Sequence, residues 1–339
     1  MSRQLVLGKT GVGSPIQWQG VPNWHAYITG ASGFGKTYEL RSMAAQVPGF
    51  GGRAIIFDYT GDFVTKYTQQ NWPPAGTEVI NIRSGEISLN PFIAETMGET
   101  DEEIAERVVS IINQGIRLGS SQWAYLYDVI LSNLPQGRLA SITDLVSCIE
   151  EDTQKKDVAA RILPKIKILG KLLPSGAEYF EWKFNIPGIT IVDLSSVKDT
   201  KALTVLVEML LWNICSDRMG SVSKDPSPLV LLLDECQRLR FNDGDTSVRI
   251  LREGRKYGIW GWFSTQWIDD KTASKALAQA GIRLIFHPDE DSLHNTARRL
   301  ARGDLKKSEM IEKRLSNLKQ GQFILQKGSQ LIISQPPIH

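Results

Sequence analysis

The chain is poor in the residues that build covalent or metal-held scaffolds. Its 339 residues include three cysteines and four histidines. Cys148, Cys215 and Cys236 stand far apart with no C-x-x-C spacing, which argues against a disulfide framework or a structural zinc site and for a reducing compartment. Long apolar runs are also missing. None approaches the ~20 residues that cross a bilayer, and Met1-Ser2-Arg3-Gln4-Leu5 does not open a signal-peptide core. The expectation is a soluble, cytoplasmic protein. Neither sign of charge is in excess: 39 Lys and Arg oppose 37 Asp and Glu, for a net charge of +2. Any contact with nucleic acid therefore has to come from a local patch. No repeat or low-complexity tract is present. What remains is ordinary globular composition, 42% hydrophobic and 22% charged, in a length that suits one large α/β domain or two smaller ones.

Against that plain background one segment stands out. Gly30-Ala31-Ser32-Gly33-Phe34-Gly35-Lys36-Thr37 is a complete G-x-x-x-x-G-K-T phosphate-binding loop. Gly30, Gly33 and Gly35 let the backbone curl until its N–H groups face phosphate oxygens. Lys36 brings positive charge to the β/γ-phosphates, and the Thr37 hydroxyl suits Mg²⁺. Ala26-Tyr27-Ile28-Thr29 reads as a buried strand entering the loop. Tyr38 to Gln46 reads as the helix leaving it, whose N-terminal dipole favours an anion. The pattern implies a nucleoside triphosphate, with ATP and Mg²⁺ the expected ligands.

A second run supports the first. Leu229-Val230-Leu231-Leu232-Leu233-Asp234-Glu235 is five aliphatic residues ending in two carboxylates, the form of a central strand in a parallel sheet. Ligands sit at the C-terminal ends of such strands. Asp234 there suits the Mg²⁺ shell, and Glu235 suits orienting or deprotonating an attacking water.

The rest of the chain alternates in the same way. Gln4 to Leu7 and Pro15 to Trp18 read as a hairpin in a short β segment over 1–22. Strands are expected at Ala54 to Asp58, Glu78 to Ile82, Ile189 to Leu194, Ile259 to Gln266, Ile282 to Phe286, Gly321 to Gln326 and Leu331 to Ile333. Helices are expected at Ala202 to Arg218 and Ser247 to Tyr257. Strands alternating with helices imply right-handed crossovers and a mostly parallel central sheet, an α/β fold. Between 94 and 185 the apolar spacing is helical throughout, as in Ile104, Val108, Ile111 and Ile112 after the acidic first turn at Asp101. This predicts an all-helical insertion into a core of 23–93 and 186–339, with nothing catalytic in it.

Two further features refine the site. Gln266 ends the strand after the acid-ended one, where a glutamine can sense the γ-phosphate. Arg252-Glu253-Gly254-Arg255-Lys256-Tyr257-Gly258, just upstream, offers arginines that could reach a neighbouring subunit's phosphate.

Taken in order, these residues resemble the HerA/FtsK superfamily of ring-forming ATPases, which includes HerA DNA translocases and the ATPases of conjugative type IV secretion. The likeness rests on Gly30 to Thr37, Asp58 to Phe63, Ile87 to Phe92, Ile191 to Ser195, Leu233 to Gln237, Arg252 to Gly258 and Ser264 to Gln266. It implies a RecA-like P-loop NTPase fold, an ATP-hydrolysing motor that translocates or pumps DNA, and a hexameric ring. By the resemblance Lys36 and Thr37 hold phosphate and Mg²⁺, Asp234 supports Mg²⁺, Glu235 is the catalytic base, Gln266 is the sensor, and Arg255 is the candidate arginine finger. HerA chains usually carry a sizeable N-terminal β-barrel ahead of this loop, whereas here the loop's strand begins at Ala26. That leads one to expect a ring whose assembly depends on DNA or a partner protein. The competing expectation is a nucleotide-dependent assembly or switch ATPase in a secretion, phage-assembly or defence complex, without translocation. Candidate DNA contacts are Arg238, Arg240, Lys271 and Lys275, and the basic cluster Arg298, Arg299, Arg302, Lys306 and Lys307. Trp260 and Trp262 alternate on a buried strand and read as core, and Trp267 follows them.

Overall fold

The computed structural model describes residues 4–10, 12–19, 22–64, 72–82, 87, 89–95, 98–173, 180–220, 226–266, 278–328 and 330–334. The chain forms two compact units, the first made of residues 1–78, 184–191 and 225–339, the second of 79–183 and 192–224.

The first unit is built on a sheet. Its strands are β1 (Gln4–Lys9), β2 (Pro15–Gln19), β3 (Ala26–Thr29), β4 (Arg53–Asp58), β6 (Gly188–Asp193, its last two residues in the second unit), β7 (Leu229–Leu233), β8 (Ile259–Thr265), β9 (Ile282–Ile285), β10 (Phe323–Lys327) and β11 (Gln330–Ser334); β5 (Glu78–Asn81) lies mainly in the second unit. β1 and β2 form a separate antiparallel hairpin, with Leu5 opposite Trp18. The main strands of the unit run in the order β11-β10-β9-β3-β8-β7-β4-β6. β4, β7, β8, β3 and β9 pair in parallel. Every residue of β3, β4, β7 and β8 is buried, which explains why these strands read as continuous apolar runs rather than alternating ones.

This order sets the site. The register pairs Thr29 with Thr265, Leu233 with Phe263 and Phe57 with Leu233, so the C-terminal ends of β3, β8, β7 and β4 lie side by side. β3 and β7 are separated by β8 alone. Whatever follows Thr29, Leu233 and Thr265 must meet at one edge.

The sheet is mostly parallel, as expected, and its antiparallel part lies at the C-terminal strands. β10 runs antiparallel to β9, and β11 antiparallel to β10. The two residues between β10 and β11 leave room only for a tight hairpin turn, and Gly328 supplies positive φ there. The helix expected over Ser247 to Tyr257 also divides. α7 spans Thr246–Glu253, and Gly254–Tyr257 tightens into a 3₁₀ turn closed by Gly258 at φ 72°. Two helices fill the interval before β10, α8 (Glu290–Leu300) and α9 (Leu305–Ser316).

α1 (Lys36–Gln46) buries Leu40, Met43 and Ala44 in a core shared with β3, β4, β7 and β8. Trp18, Trp24, Trp260 and Trp262 join that core, and the Trp262 indole N–H donates to Trp24 O at 2.9 Å. Trp260 and Trp262 are therefore packing residues, as the alternation suggested. At about 1.5–3 kcal/mol per buried large aliphatic or aromatic side chain, this cluster is the main source of the unit's stability. Gln46 ties the hairpin to α1: its side chain donates to Val6 O and accepts from Val6 N.

The second unit contains α2 (Asp101–Gly115), α3 (Ser120–Asn133), α4 (Ile142–Glu151), α5 (Lys156–Leu172) and α6 (Thr200–Gly220). α2 starts with a capping box: Thr100 Oγ1 accepts from Glu103 N while Glu103 Oε2 accepts from Thr100 N. α6 packs against α2 closely enough that a side chain at Gly115 would strike Lys201 O. Across that contact the Arg107 guanidinium lies 4.2 Å from the Trp212 ring centroid. Among the described residues no helix is long and apolar enough to cross a membrane.

Candidate functional site

β3 ends at Thr29 and the chain turns at once. Gly30 takes φ 142°, and a side chain there would meet Phe286 Cβ at 2.6 Å, so only glycine passes. Gly33 and Gly35 take φ 82° and 104°, and the space beside Gly33 is open. The loop is held from outside its own sequence. Ala31 N donates to His287 O, Gly321 N donates to Phe34 O, and Gln320 Nε2 donates to Gly33 O. Phe34 stacks on the His287 ring with centroids 4.6 Å apart. These contacts fix the curl before any ligand arrives.

Lys36, at the first turn of α1, is buried, and its ammonium donates to Gly30 O and Ala31 O, each at 2.8 Å. An ammonium has three donors. Two brace the loop and one remains for an anion. Burial pushes the Lys36 pKa down, and the nearby carboxylates of Asp234, Asp289 and Glu235 push it back up. Thr37 Oγ1 donates to Asp234 Oδ2 at 2.9 Å. Burial raises the Asp234 carboxyl above its ordinary range, while hydrogen bonds from Ser264 and Thr37 and the Lys36 charge pull it down.

Glu235 is the one non-glycine site residue with positive φ among the described residues. It sits in the left-handed region at φ 60° and ψ 44°, and a 3₁₀ turn over Cys236–Arg238 follows. Its N–H donates to Asp234 Oδ1, and its Oε2 accepts from Arg238 Nε at 2.6 Å. Ser32, Gly33, Gly35, Lys36, Thr37, Asp234, Glu235 and Gln266 all line a cleft of about 650 Å³. The structure thus assembles the phosphate loop, both carboxylates and Gln266 at one place.

Arg255 is not there. It is exposed on the 3₁₀ turn before β8, and the seven residues of β8, at about 3.3 Å each, separate it from the cleft of its own chain. Of the basic candidates, Arg238 binds Glu235, Arg240 is half-buried, and Arg298, Arg299, Arg302 and Lys306 are exposed on or beside α8 and α9. Lys271, Lys275 and Trp267 lie outside the described residues.

The cleft also takes in Thr60 and Asp62, from the Asp58 to Phe63 segment that carried part of the resemblance without an assigned role, and Gln320 and Gly321, which were not singled out as site residues. Asp58, the acid at the end of β4, points elsewhere. Its carboxylate accepts from Thr60 N, Gly61 N and Phe63 N, and so shapes the loop that carries Thr60 and Asp62 to the cleft. Among the described residues no group of three or more His, Cys, Asp or Glu could hold a metal by itself. The oxygen pair of Thr37 and Asp234 suits a hard cation that takes its remaining ligands from phosphate and water, which is the habit of Mg²⁺.

A loop that curls into the N-terminus of α1, with a carboxylate strand two places along the parallel sheet, is the layout of the RecA-like P-loop fold. Comparison with known proteins narrows this. Residues 10–96 match the family model described as the type IV secretion-system coupling protein DNA-binding domain. The chain is 27% identical over 263 residues to the DNA import protein CedB of Sulfolobus acidocaldarius, covering 74% of this chain and 41% of CedB. It is 26% identical over 263 residues to the DNA double-strand break repair helicase HerA of the same organism, covering 69% of this chain and 49% of HerA. The chain thus spans less than half the length of each of these curated relatives. Among solved structures, VirB4 of Thermoanaerobacter pseudethanolicus superposes with a TM-score of 0.75 at 17% identity, over 99% of this chain and 96% of that one. Plasmid coupling protein TrwB in complex with ADP and Mg²⁺ superposes with a TM-score of 0.68 at 15% identity, over 99% and 90%. The two structures establish the fold. The family model over residues 10–96 and the two relatives make the chain similar to P-loop ATPases of the HerA/FtsK type and of type IV secretion.

Proposed function

We propose that the chain is an ATP-hydrolysing motor that translocates DNA, acting as a ring of subunits. The observation that carries the hydrolytic part is the meeting of Lys36, Thr37, Asp234, Glu235 and Gln266 in one cleft. DNA as the polymer is supported by the relatives, a DNA import protein and a repair helicase. ATP and Mg²⁺ are supported by the TrwB complex that shares the fold.

In this reading the N–H groups of Ser32 to Thr37 and the free donor of Lys36 hold the β- and γ-phosphates. Thr37 and Asp234 would hold Mg²⁺, which would supply positive charge beside the phosphates. Glu235 accepts a proton from the attacking water, and Gln266 holds that water or the γ-phosphate in line. Arg255 cannot serve its own cleft across the length of β8, so its proposed role is in a neighbouring subunit's site.

The test is ATPase activity of the purified chain with and without duplex and single-stranded DNA, beside a measurement of oligomer mass. Turnover that depends on Lys36 and rises with DNA supports the motor. Turnover indifferent to both forms of DNA favours a nucleotide-dependent switch in a secretion, phage-assembly or defence complex instead.

A further inference from the structure

The Glu235 carboxylate is held by a neighbouring arginine. Its Oε2 accepts from Arg238 Nε at 2.6 Å, a charge-assisted contact that engages one of the two carboxylate oxygens and fixes the direction in which the group faces. The 3₁₀ turn makes this pairing: Arg238 N donates to Glu235 O at 3.0 Å, which folds the arginine back over the residue three positions earlier. The guanidinium is also reachable from outside. Its side chain is 36% exposed against 20% for that of Glu235, and its other face lies 5.5 Å from the Tyr59 ring centroid. The arginine is therefore the more exposed partner of the pair, and the carboxylate is the one that lines the cleft.

We infer that Arg238 is a positioning residue that withholds Glu235 until a phosphodiester of bound nucleic acid draws the guanidinium away. The inference rests on the reading of Glu235 as the base and of DNA as the polymer. A planar guanidinium matches a phosphodiester at least as well as a carboxylate, and two anions competing for one half-exposed arginine exchange at small cost. Phosphate contact at Arg238 then frees Glu235 Oε2 to turn toward the attacking water. Hydrolysis is thereby tied to occupancy of the polymer site without any larger movement of the sheet.

The experiment compares steady-state ATPase kinetics of the full chain, wild type, Arg238→Gln and Arg238→Lys, with and without a duplex oligonucleotide. Arg238→Gln should raise the DNA-free kcat by about two- to five-fold, the range that breaking a half-exposed ion pair allows, with KM for ATP little changed. The factor by which DNA stimulates turnover should shrink by the same amount. Arg238→Lys keeps a cation opposite Glu235 and should retain the low DNA-free rate. A purely structural arginine would give falling kcat in both variants and a lowered melting temperature. If Arg238→Gln fails to fold, Arg238→Met supplies the same comparison. A variant that folds normally yet shows a DNA-free rate no higher than wild type, or a wild-type chain that DNA does not stimulate, overturns the proposal. Glu235→Gln measured alongside separates the underlying reading: if it hydrolyses ATP at the wild-type rate, Glu235 is not the base, whatever Arg238 does.

Discussion

Thr37 Oγ1 donates to Asp234 Oδ2 at 2.9 Å, joining residues 197 positions apart. One stands at the start of α1 and the other just past β7, and the contact exists because β8 alone separates β3 from β7. It places a hydroxyl and a carboxylate where a hard cation beside the phosphates would take both.

Asp234→Asn should therefore weaken nucleotide binding chiefly when Mg²⁺ is present. The amide keeps the size and still accepts from Thr37, but it loses the charge. Titration of a fluorescent ATP analogue with and without Mg²⁺ checks this. Equal loss in both conditions would mean that Asp234 acts on the loop rather than on the metal.

Lys36→Ala and Glu235→Gln should fail differently. Removing Lys36 strips charge from the phosphate site and leaves Gly30 O and Ala31 O without their donor, so both binding and turnover should be lost. Glu235→Gln keeps the cleft's shape but cannot accept a proton. ATP affinity should stay near wild type while kcat falls by about 10²–10⁴-fold, the usual contribution of a positioned base. Affinity and kcat measured on the same preparations separate the two.

The parts of the site that could be read in advance are those in which chemistry is set by short spacing. Gly30 to Thr37 and Asp234-Glu235 each carry their geometry locally, in glycines and at a strand end. Gln266 became visible only as a polar residue closing a buried strand. Gln320, Gly321 and His287 could not be found this way, because they brace the loop from about 250 to 290 positions away, Gly321 and His287 through backbone atoms and Gln320 through its side-chain amide. Strand direction was hidden for a similar reason: apolar content marks β10 and β11 as buried but is silent on polarity. The tight Lys327-Gly328-Ser329-Gln330 connection was the available signal. At Gly254, where the expected helix divides, Ile259 O lies 2.9 Å from where a Cβ would sit, which accounts for the glycine there.

Glu39 supplies a stability prediction independent of the catalytic reading. It lies in α1, 3% exposed, and its Oε1 has no hydrogen-bond partner among the described residues. Burial raises its pKa from 4.5 to about 8. Between those values the folded chain holds a proton that the unfolded chain has released, so stability falls as pH rises through that window, by up to about 1.4 kcal/mol per unit. Glu39→Gln removes the titration and should be the more stable protein near pH 8, with the gap closing toward pH 4.5. Melting temperatures of both proteins across that range test it. A constant gap would show that the Glu39 carboxyl titrates normally.

Arg255 gives the prediction on which the ring depends. Its exposed place before β8, remote from its own chain's cleft, leaves nucleotide affinity of a single subunit untouched in Arg255→Ala. Turnover of the assembled protein should nevertheless fall, by something like the ~10³-fold or more that an arginine finger supplies. Mixing separates this from simple damage. Subunits carrying Arg255→Ala and subunits carrying Glu235→Gln are each nearly inactive alone. In mixed assemblies some interfaces pair an intact Glu235 with an intact Arg255 from the neighbour, so partial activity should return and peak at an intermediate ratio. No recovery at any ratio, with mixed assembly confirmed by mass measurement, would remove Arg255 from the reaction and leave its role structural.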